Sequence, residues 1–312
     1  MKPISVDPDQ FPHSSSSAEG VHVLAAACGR RNVFVHLNVE YARKDGLDLH
    51  LHIIEPGDDA TFPESDTASG EGFPCITFVQ GSAWGEQAMG SAMAFWCRFA
   101  ERGYVVALME YRPSALAGFP AQIQDAKTAI RWLRHHADDY SIDSRRLAMA
   151  GDSSGGHTAL MVHVTQDLFA FDDDGDDAEE LGIAAFIDFY GPTDLSRMNE
   201  EPSTLDHMGP DSPEGRLFGG VALADIPAKV QQANPSTWVS SDRVLAPLLM
   251  IHGSKDRIVP FAQSVYHYEA LREAGHFVEL VQVRDADHGI LPALFSDEIA
   301  TIIDEFLREH LF

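Results

Sequence analysis

The stretch that most constrains the fold is Gly-Asp-Ser-Ser-Gly at residues 151–155. It follows a short apolar run, Leu147 to Ala150, and precedes a helical pattern, so it joins a buried parallel strand to a helix. A turn this tight forces strained backbone angles on Ser153, and the flanking glycines omit side chains that would clash. The pattern predicts a Ser153 hydroxyl exposed at a helix amino terminus. The same five residues also fit a glycine-rich turn with no catalytic role. A catalytic role requires further residues elsewhere in the chain that could activate Ser153.

Short apolar runs alternate with helical patterns along the chain. Strands are predicted at residues 38–41, 47–54, 75–80, 104–109, 147–150, 183–190, 244–252 and 278–283, and helices at 88–102, 120–140, 262–274 and 297–311 besides the one after Ser153. The first two strands flank Asp45-Gly46, which is a strong hairpin signal. The expected fold is α/β, with a mostly parallel eight-stranded sheet, an antiparallel N-terminal edge and helices on both faces.

Three segments depart from this alternation. Residues 1–20 are rich in Ser, Pro and acidic residues and are predicted to be a mobile tail, which leaves 21–312 as a single domain. Residues 194–239 lack strong periodicity and contain five prolines, so they are predicted to form a lid or pocket insertion. The acidic loop 171–180 resembles a calcium loop, but Ala170 and Leu181 occupy its two key ligand positions, so a solvated loop is expected.

Charge and cysteine content limit the partners and the compartment. The chain has 48 Asp and Glu residues against 22 Lys and Arg, a formal net charge of −26, which would repel polyanions. Neither nucleic acid nor a membrane is therefore an expected partner, whereas a homo-oligomer is compatible with these features. Cys28, Cys75 and Cys97 show no CxxC spacing, and no secretion signal or membrane-length apolar run is present. A reduced, cytoplasmic protein is expected.

A serine hydroxyl becomes a strong nucleophile when a histidine removes its proton and a carboxylate fixes the tautomer of that histidine. His288 follows the last predicted strand, whereas the other late histidines fall within a helix, before a strand or near the terminus. Asp256 follows the preceding strand and is the predicted acid. Asp285 and Asp287 are closer in sequence, but neighbours in one loop rarely face each other. Asp194, which also follows a strand, is the alternative acid.

The oxyanion formed during acyl transfer requires hydrogen-bond donors. The Ser154 N–H, at the positive end of the helix, is one predicted donor. The loop after the strand at 75–80 reads Gln-Gly-Ser-Ala-Trp-Gly, and the N–H groups of Ser82 and Ala83 are the other predicted donors. Trp84 is predicted to form a wall of the acyl or leaving-group pocket, although a plain loop would fit the same letters. No metal-ligand spacing accompanies this set, so neither a metal nor another cofactor is expected.

Taken in order, these motifs resemble those of the α/β-hydrolases, specifically the hormone-sensitive-lipase-like and bacterial acetylxylan or feruloyl esterase branch. The likeness extends over about residues 38–311 and includes VQGSAW at Val79, EYRPS at Glu110, GDSSGGH at Gly151, SPEGRLFGG at Ser212, HGSKDRIVP at His252 and DADHG at Asp285. One departure is Gln-Gly-Ser-Ala at residues 80–83, where the lipase-like branch has His-Gly-Gly-Gly. Trp84 also resembles the arylformamidase relatives.

The resemblance implies a cofactor-free serine hydrolase with an acyl-enzyme mechanism, but this fold hosts many substrates. The leading hypothesis is a carboxylic-ester hydrolase for small-molecule esters with short acyl or aryl groups, including acetyl or feruloyl groups on plant-derived carbohydrate. An amide hydrolase of arylformamidase or peptidase type is the alternative. A hydrolase-like binding protein without turnover is the third hypothesis, against which the complete set of Ser153, Asp256 and His288 argues.

Overall fold

The computed structural model describes residues 6–7, 10–24, 31–57, 72–173, 175, 179–289 and 292–312. Two compact units make up the chain, residues 1–30 and residues 31–312. The second of these units begins at Arg31. The predicted mobile tail and the acidic loop at 171–180 fall partly outside the described residues, and Cys28 falls wholly outside them.

Within the described residues, eight strands form one sheet in the order β1-β2-β4-β3-β5-β6-β7-β8. The strands are β1 Val33–Lys44, β2 Leu47–Pro56, β3 Phe73–Val79, β4 Val105–Met109, β5 Ile142–Asp152, β6 Ile183–Phe189, β7 Leu248–Gly253 and β8 Val278–Val283. The pairs β1–β2 and β2–β4 are antiparallel, and the other five pairs are parallel. The predicted sheet with its antiparallel N-terminal edge is confirmed, and the fold is that of the α/β-hydrolases.

The antiparallel edge begins with a hairpin that two neighbouring residues specify. Lys44 pairs with Leu47, and the intervening Asp45 and Gly46 have φ values of 50° and 82°. Two consecutive positive φ values define the type I′ turn, whose twist matches that of the paired strands. The Asp-Gly pair therefore specifies both the turn and the register of the hairpin.

Helices cover both faces of the sheet, as predicted. They are α1 Met93–Ala100, α2 Ala121–His135, α3 Ser154–Thr165, α4 Pro213–Leu217, α5 Pro227–Gln232, α6 Ala262–Glu273 and α7 Asp297–Leu311. Buried residues of α2, α3 and α6 pack with Cys75 and Val79 of β3, whereas those of α1 and α7 pack with Ile76 and Phe78. This division follows from the strand geometry, because successive side chains of a strand point to opposite faces.

Element ends differ from the predictions where proline or tight turns intervene. The strand predicted at 244–252 begins at Leu248, because Pro247 cannot donate to the ladder and Val244 is 95% exposed. The helix predicted at 120–140 ends as α2 at His135 and continues after His136 as a 3-10 turn, Ala137–Tyr140. Among the described helices, none has both the length and the apolar character needed to cross a lipid bilayer.

The parallel strands place the functional loops at one edge of the sheet. Strands β3, β5, β6, β7 and β8 run parallel, so their carboxyl ends lie together. The loops that follow these ends carry the residues that the sequence singled out. In open α/β sheets this carboxyl edge is where ligands bind.

Candidate active site

The turn from β5 into α3 is a strained nucleophile elbow. Ser153 has φ 53° and ψ −124°, outside the regions that most residues adopt, and its N–H donates to Phe189 O at 2.9 Å. A Cβ at Gly151 would overlap the carbonyl oxygen of Gly155, and a Cβ at Gly155 would overlap that of Val79. The two glycines are therefore required by the close approach of strand and helix, as the sequence pattern indicated.

Three predicted residues form a continuous chain of hydrogen bonds. Ser153 Oγ lies 2.9 Å from His288 Nε2, and His288 Nδ1 lies 2.7 Å from Asp256 Oδ2. The carboxylate accepts the Nδ1 proton, so Nε2 is left free to accept the serine proton. These side chains come from the loops after β5, β8 and β7, which meet at the carboxyl edge.

The surroundings of Asp256 keep its carboxylate ionised and fixed. Oδ1 accepts the N–H groups of Ile258 at 2.8 Å and Val259 at 2.9 Å. Burial alone would raise the pKa of Asp256, but hydrogen bonds from His252 and His288 outweigh it and hold the pKa well below its usual range. An ionised carboxylate at this point stabilises an imidazolium on His288.

His252 contributes to this environment and was not singled out by the sequence. It is fully buried, and its Nε2 lies 3.2 Å from Asp256 Oδ2 and 3.0 Å from Val259 O. Its Nδ1 lies 2.7 Å from Ser264 Oγ. Because both neighbours of Nε2 are acceptors, Nε2 carries the proton and Nδ1 accepts from the serine hydroxyl. The only signal in the sequence was its position in the HGSKD motif.

The alternative acid occupies a different environment. Asp194 Oδ1 accepts the Ser196 N–H at 3.1 Å and the Asn234 Nδ2–H at 2.8 Å. It caps the short 3-10 helix that follows it. Within the part of the chain that the structure describes, Asp194 has no hydrogen bond to a histidine.

The two carboxylates nearest to the histidine in sequence also face elsewhere. Asp285 forms an ion pair with Lys255 at 2.6 Å, and Asp287 forms one with Arg257 at 2.6 Å. Asp287 Oδ1 accepts the backbone N–H of His288 at 2.8 Å but does not contact its ring nitrogens. Both carboxylates therefore pair with residues of the Asp256 loop, and the carboxylate that contacts the ring of His288 is that of Asp256.

The loop predicted to supply oxyanion donors is tied to the elbow. Gly81 N–H donates to Asp152 Oδ1 at 2.7 Å, and Ser82 N–H donates to Ser154 Oγ at 2.9 Å. The predicted donor Ser82 N–H is therefore already engaged by a side chain. The N–H groups of Ala83 and Ser154 have no protein acceptor within the described residues, so these two remain available for an oxyanion.

Buried polar groups behind this loop were not anticipated from the sequence. Burial raises the pKa of Asp152 to about 6, although the Gly81 N–H opposes this. Tyr190 OH donates to Asp152 Oδ2 at 3.3 Å, and Tyr111 OH lies 2.9 Å from Ser82 Oγ. These contacts connect the oxyanion loop to the elbow. Asp152 lies within the elbow motif and Tyr111 within EYRPS, but the sequence did not predict their hydrogen bonds with Tyr190 and Ser82.

Trp84 is a rigid wall rather than a mobile flap. Its side chain is 2% exposed, and Nε1–H donates to His157 Nδ1 at 3.2 Å. Burial lowers the pKa of His157 to about 4, so the ring is neutral, and its Nε2–H donates to Ala233 O at 2.8 Å. This relay fastens the oxyanion loop to helix α3 and to residues 194–239, which we call the pocket segment.

A cavity of about 450 Å³ opens over the serine and the histidine. It is lined by Gly81–Trp84, Asp152–Ser154, Pro192, Leu205, His207, Pro213, Glu214, Ile258, Val259 and His288–Gly289. The pocket segment thus contributes four of the lining side chains, two of them ionisable. Apolar surface in the cavity comes from Pro192, Leu205, Pro213, Ile258 and Val259.

The two ionisable side chains form a buried pair. His207 Nδ1 lies 2.8 Å from Glu214 Oε1, and His207 Nε2 lies 3.0 Å from Ile258 O. Burial alone would lower the pKa of His207, but its hydrogen bond with Glu214 and the charge of that carboxylate raise it above the ordinary value. The sequence did not identify this pair. Its only signal was the SPEGRLFGG motif that contains Glu214.

The chain matches a known protein family over two thirds of its length. The model of the BD-FAE family matches residues 61–271. The chain belongs to the BD-FAE family. The match covers the elbow, the oxyanion loop, the pocket segment and the Asp256 loop, and ends before His288.

Among curated proteins, this BD-FAE chain is similar to the esterase LipQ of Mycobacterium tuberculosis. The two are 29% identical over 252 residues, which cover 78% of this chain and 56% of LipQ. The chain spans about half the length of the curated relatives it matches.

Two solved structures resemble the BD-FAE chain over most of their length. A truncated carbohydrate esterase from gut microbiota is 27% identical with a TM-score of 0.73, covering 91% of this chain and 98% of that one. A propionate-bound thermophilic esterase from Thermogutta terrifontis is 26% identical with a TM-score of 0.67, covering 89% of this chain and 94% of that one. Both likenesses agree with the fold described above.

Proposed function

We propose that this chain is a serine carboxylic-ester hydrolase in which Ser153, His288 and Asp256 form the catalytic set. The observation that carries the proposal is the hydrogen-bonded chain from Ser153 Oγ through His288 to Asp256, at 2.9 and 2.7 Å. A chain with this order and these distances is the arrangement that activates a serine for acyl transfer. The named esterases among its relatives support the same reaction class.

The first half of the reaction forms an acyl-enzyme. Ser153 Oγ attacks the ester carbonyl carbon while its proton passes to His288 Nε2. The carbonyl oxygen becomes an oxyanion, which accepts hydrogen bonds from the N–H groups of Ala83 and Ser154. When the carbon–oxygen bond of the ester breaks, His288 returns the proton to the departing alcohol. The Ser153 ester remains.

The second half consumes water. His288 removes a proton from a water molecule, whose oxygen attacks the acyl carbon of the Ser153 ester. The same two N–H groups stabilise the second oxyanion. Collapse releases the carboxylic acid, and the proton returns from His288 to Ser153 Oγ. The enzyme is then restored, and no redox step or cofactor is required by this sequence of bonds.

The shape of the cavity favours esters with short acyl chains. A volume of about 450 Å³ must hold both the acyl and the alcohol parts, and the buried Trp84 closes one side. The pocket segment, residues 194–239, serves as the pocket insertion but offers no long apolar helix for a fatty chain. Acetyl or feruloyl groups on plant-derived carbohydrate are the substrates we propose, and the carbohydrate-esterase name of one structural relative supports this choice.

A substrate panel tests the proposal. The purified protein is offered p-nitrophenyl acetate, methyl ferulate, acetylated xylo-oligosaccharide and N-formylkynurenine, and kcat/KM is measured for each. We expect turnover of the esters, with the carbohydrate acetate or the ferulate preferred. Preferential cleavage of N-formylkynurenine would instead assign an amide hydrolase of the arylformamidase type. Absence of turnover on all four would reject the catalytic proposal in favour of a binding protein.

A further inference from the structure

The turn that carries one of the proposed oxyanion donors has an unfavourable backbone conformation. Gly85 N–H donates to Ser82 O at 3.0 Å and closes the turn. The two residues between them, Ala83 and Trp84, have φ values of 53° and 57°. Two consecutive positive φ values define the type I′ turn, which favours Asn, Asp and Gly. Ala and Trp disfavour positive φ, so contacts outside the turn must hold it in this conformation.

The contacts of Trp84 supply this restraint. Its carbonyl oxygen accepts the Ser114 N–H at 2.7 Å, and its indole Nε1–H donates to His157 Nδ1 at 3.2 Å. The two rings also meet edge to face, with 5.2 Å between their centroids. The indole is buried among apolar side chains of the pocket segment. The side chain of Trp84 is therefore fixed, and it fixes the second strained residue of the turn.

His157 is itself held from two further directions. Its backbone N–H donates to Ser153 O at 2.9 Å, and its Nε2 lies 2.8 Å from Ala233 O. Because a carbonyl oxygen only accepts, Nε2 carries the ring proton and Nδ1 is the acceptor for the indole of Trp84. The ring is fully buried, and burial lowers its pKa to about 4, which keeps it neutral. One residue thus connects the nucleophile to the oxyanion turn.

The restrained turn determines where an oxyanion donor points. Ala83 lines the same cavity as Ser153, Ser154 and His288, and its N–H has no acceptor in the described part of the chain. The φ angle of Ala83 is the rotation about its N–Cα bond. A change from positive to negative φ would therefore turn this N–H relative to the residues that follow it. The donor keeps its direction only while the turn keeps its conformation.

We propose that His157 is a positioning residue: by accepting the Trp84 indole N–H it holds the turn at residues 82–85, and so keeps the Ala83 N–H available to the oxyanion. This inference rests on the proposed ester hydrolysis and adds to it a residue that does not line the cavity. A donor placed in advance stabilises the oxyanion without reorganisation during the reaction. Loss of the anchor lowers the fraction of molecules with a placed donor, and kcat falls with that fraction.

His157→Phe removes the acceptor for the indole and keeps an aromatic ring in the buried space. We expect kcat for p-nitrophenyl acetate to fall by about tenfold or more, since complete loss of one oxyanion donor costs about 10²–10³. KM should stay within about threefold of wild type, because the lost interaction forms with the oxyanion and not with the bound ester. Far-UV circular dichroism and Tm report whether the variant is folded.

A second substitution separates positioning from a structural role. Glycine adopts positive φ about as readily as negative φ, so Ala83→Gly should restore the turn without the anchor. We expect it to raise the kcat of His157→Phe by about tenfold, and to raise that of wild type by much less. The matched control is Ser141→Gly, because Ser141 is exposed, has φ 54° and does not line the cavity. It relieves the same kind of strain and should leave the kcat of His157→Phe unchanged.

Three results would overturn the inference. They are a folded His157→Phe protein with kcat within about threefold of wild type, a loss that Ala83→Gly does not repair, and a loss that Ser141→Gly repairs equally well. Should His157→Phe not fold, Trp84→Phe removes the same hydrogen bond from the donor side, and the two glycine substitutions are applied to it with the same expectations.

The experiment also separates this inference from the function on which it rests. Hydrolysis of p-nitrophenyl acetate by the wild type, together with its loss in Ser153→Ala, leaves the esterase proposal standing whatever the His157 variants do. Absence of wild-type turnover on the ester panel rejects the esterase proposal and this inference together.

Discussion

Replacing Asp256 by Asn separates a catalytic carboxylate from a structural one. The side chain accepts two backbone N–H groups on Oδ1, from Ile258 and Val259, and on Oδ2 it accepts the His288 Nδ1–H and the His252 Nε2–H. The single amide oxygen of an asparagine can accept either from the backbone N–H groups or from the histidine side. Keeping the oxygen on the backbone retains two hydrogen bonds of about 1 kcal/mol each, whereas the flipped amide would lose both and place donors against donors.

The expected loss follows from that choice. With the amide oxygen on the backbone, the NH₂ group of the substituted side chain would face His288 and could be satisfied only if Nδ1 became an acceptor. The ring proton would then lie on Nε2, which could no longer accept from Ser153. A wrong tautomer of this kind lowers kcat by about 10⁴, equivalent to about 5 kcal/mol in the activation free energy.

The assay measures kcat/KM on p-nitrophenyl acetate at neutral pH, with far-UV circular dichroism and Tm as checks on folding. Asp194→Asn is the matched control, because Asn caps a helix about as well as Asp and should leave kcat/KM within a few-fold of wild type. The reasoning fails if a folded Asp256→Asn protein keeps its kcat/KM within about tenfold of wild type. It also fails if Asp194→Asn is the inactive variant.

The nucleophile, the base, a buried carboxylate and the pocket wall can each be tested separately. Ser153→Ala should lower kcat by about 10⁴ or more at unchanged Tm, and a folded variant with most of its activity would remove Ser153 as nucleophile. Because His288 must be neutral to accept the serine proton, kcat/KM should fall as the solution is made more acidic, and a profile that does not change with pH would contradict a histidine base. Burial raises the pKa of Asp188 to about 8 from about 3.9 in the unfolded chain, so its contribution to stability is present below about pH 4 and is lost as pH rises through about 8. The Tm of Asp188→Asn minus that of wild type should accordingly increase from about pH 5 to about pH 9, and an unchanged difference would refute this. Among p-nitrophenyl esters, acetate and butyrate should be turned over best, with activity falling beyond about eight carbons, and a maximum at dodecanoate would reject the short-acyl proposal. Trp84→Ala should shift the maximum towards longer chains at a cost of about 3–5 kcal/mol in stability, because the side chain is buried.

Features that depend on a few neighbouring residues could be predicted from the sequence. Asp45-Gly46 predicted the hairpin because only residues that tolerate positive φ fit its turn. The elbow at Ser153 was visible because its close strand-to-helix approach requires glycine at fixed spacings. Order along the chain then favoured His288 and Asp256, because parallel strands bring their carboxyl ends to one edge.

Features that depend on the meeting of distant loops could not be read from the sequence. Asp194 and Asp256 both follow strands, and only the tertiary structure shows which of them reaches the imidazole. The hydrogen bond from the Ser82 N–H to the Ser154 hydroxyl likewise depends on two loops meeting, so neither loop alone could predict it. Side-chain direction in an irregular loop has no sequence period from which it could be inferred.

What the sequence alone determined is therefore the α/β sheet, the exposed serine and the small set of groups that could activate it, because each follows from local backbone geometry and strand order. The tertiary structure alone shows which carboxylate forms a hydrogen bond with His288 and which side chains line the cavity. The pair of His207 and Glu214 is the clearest case, since it joins the pocket segment to the Asp256 loop through Ile258 O. Pairing of this kind is set by packing between segments far apart in the chain, where the free energy of a buried contact depends on every neighbour at once.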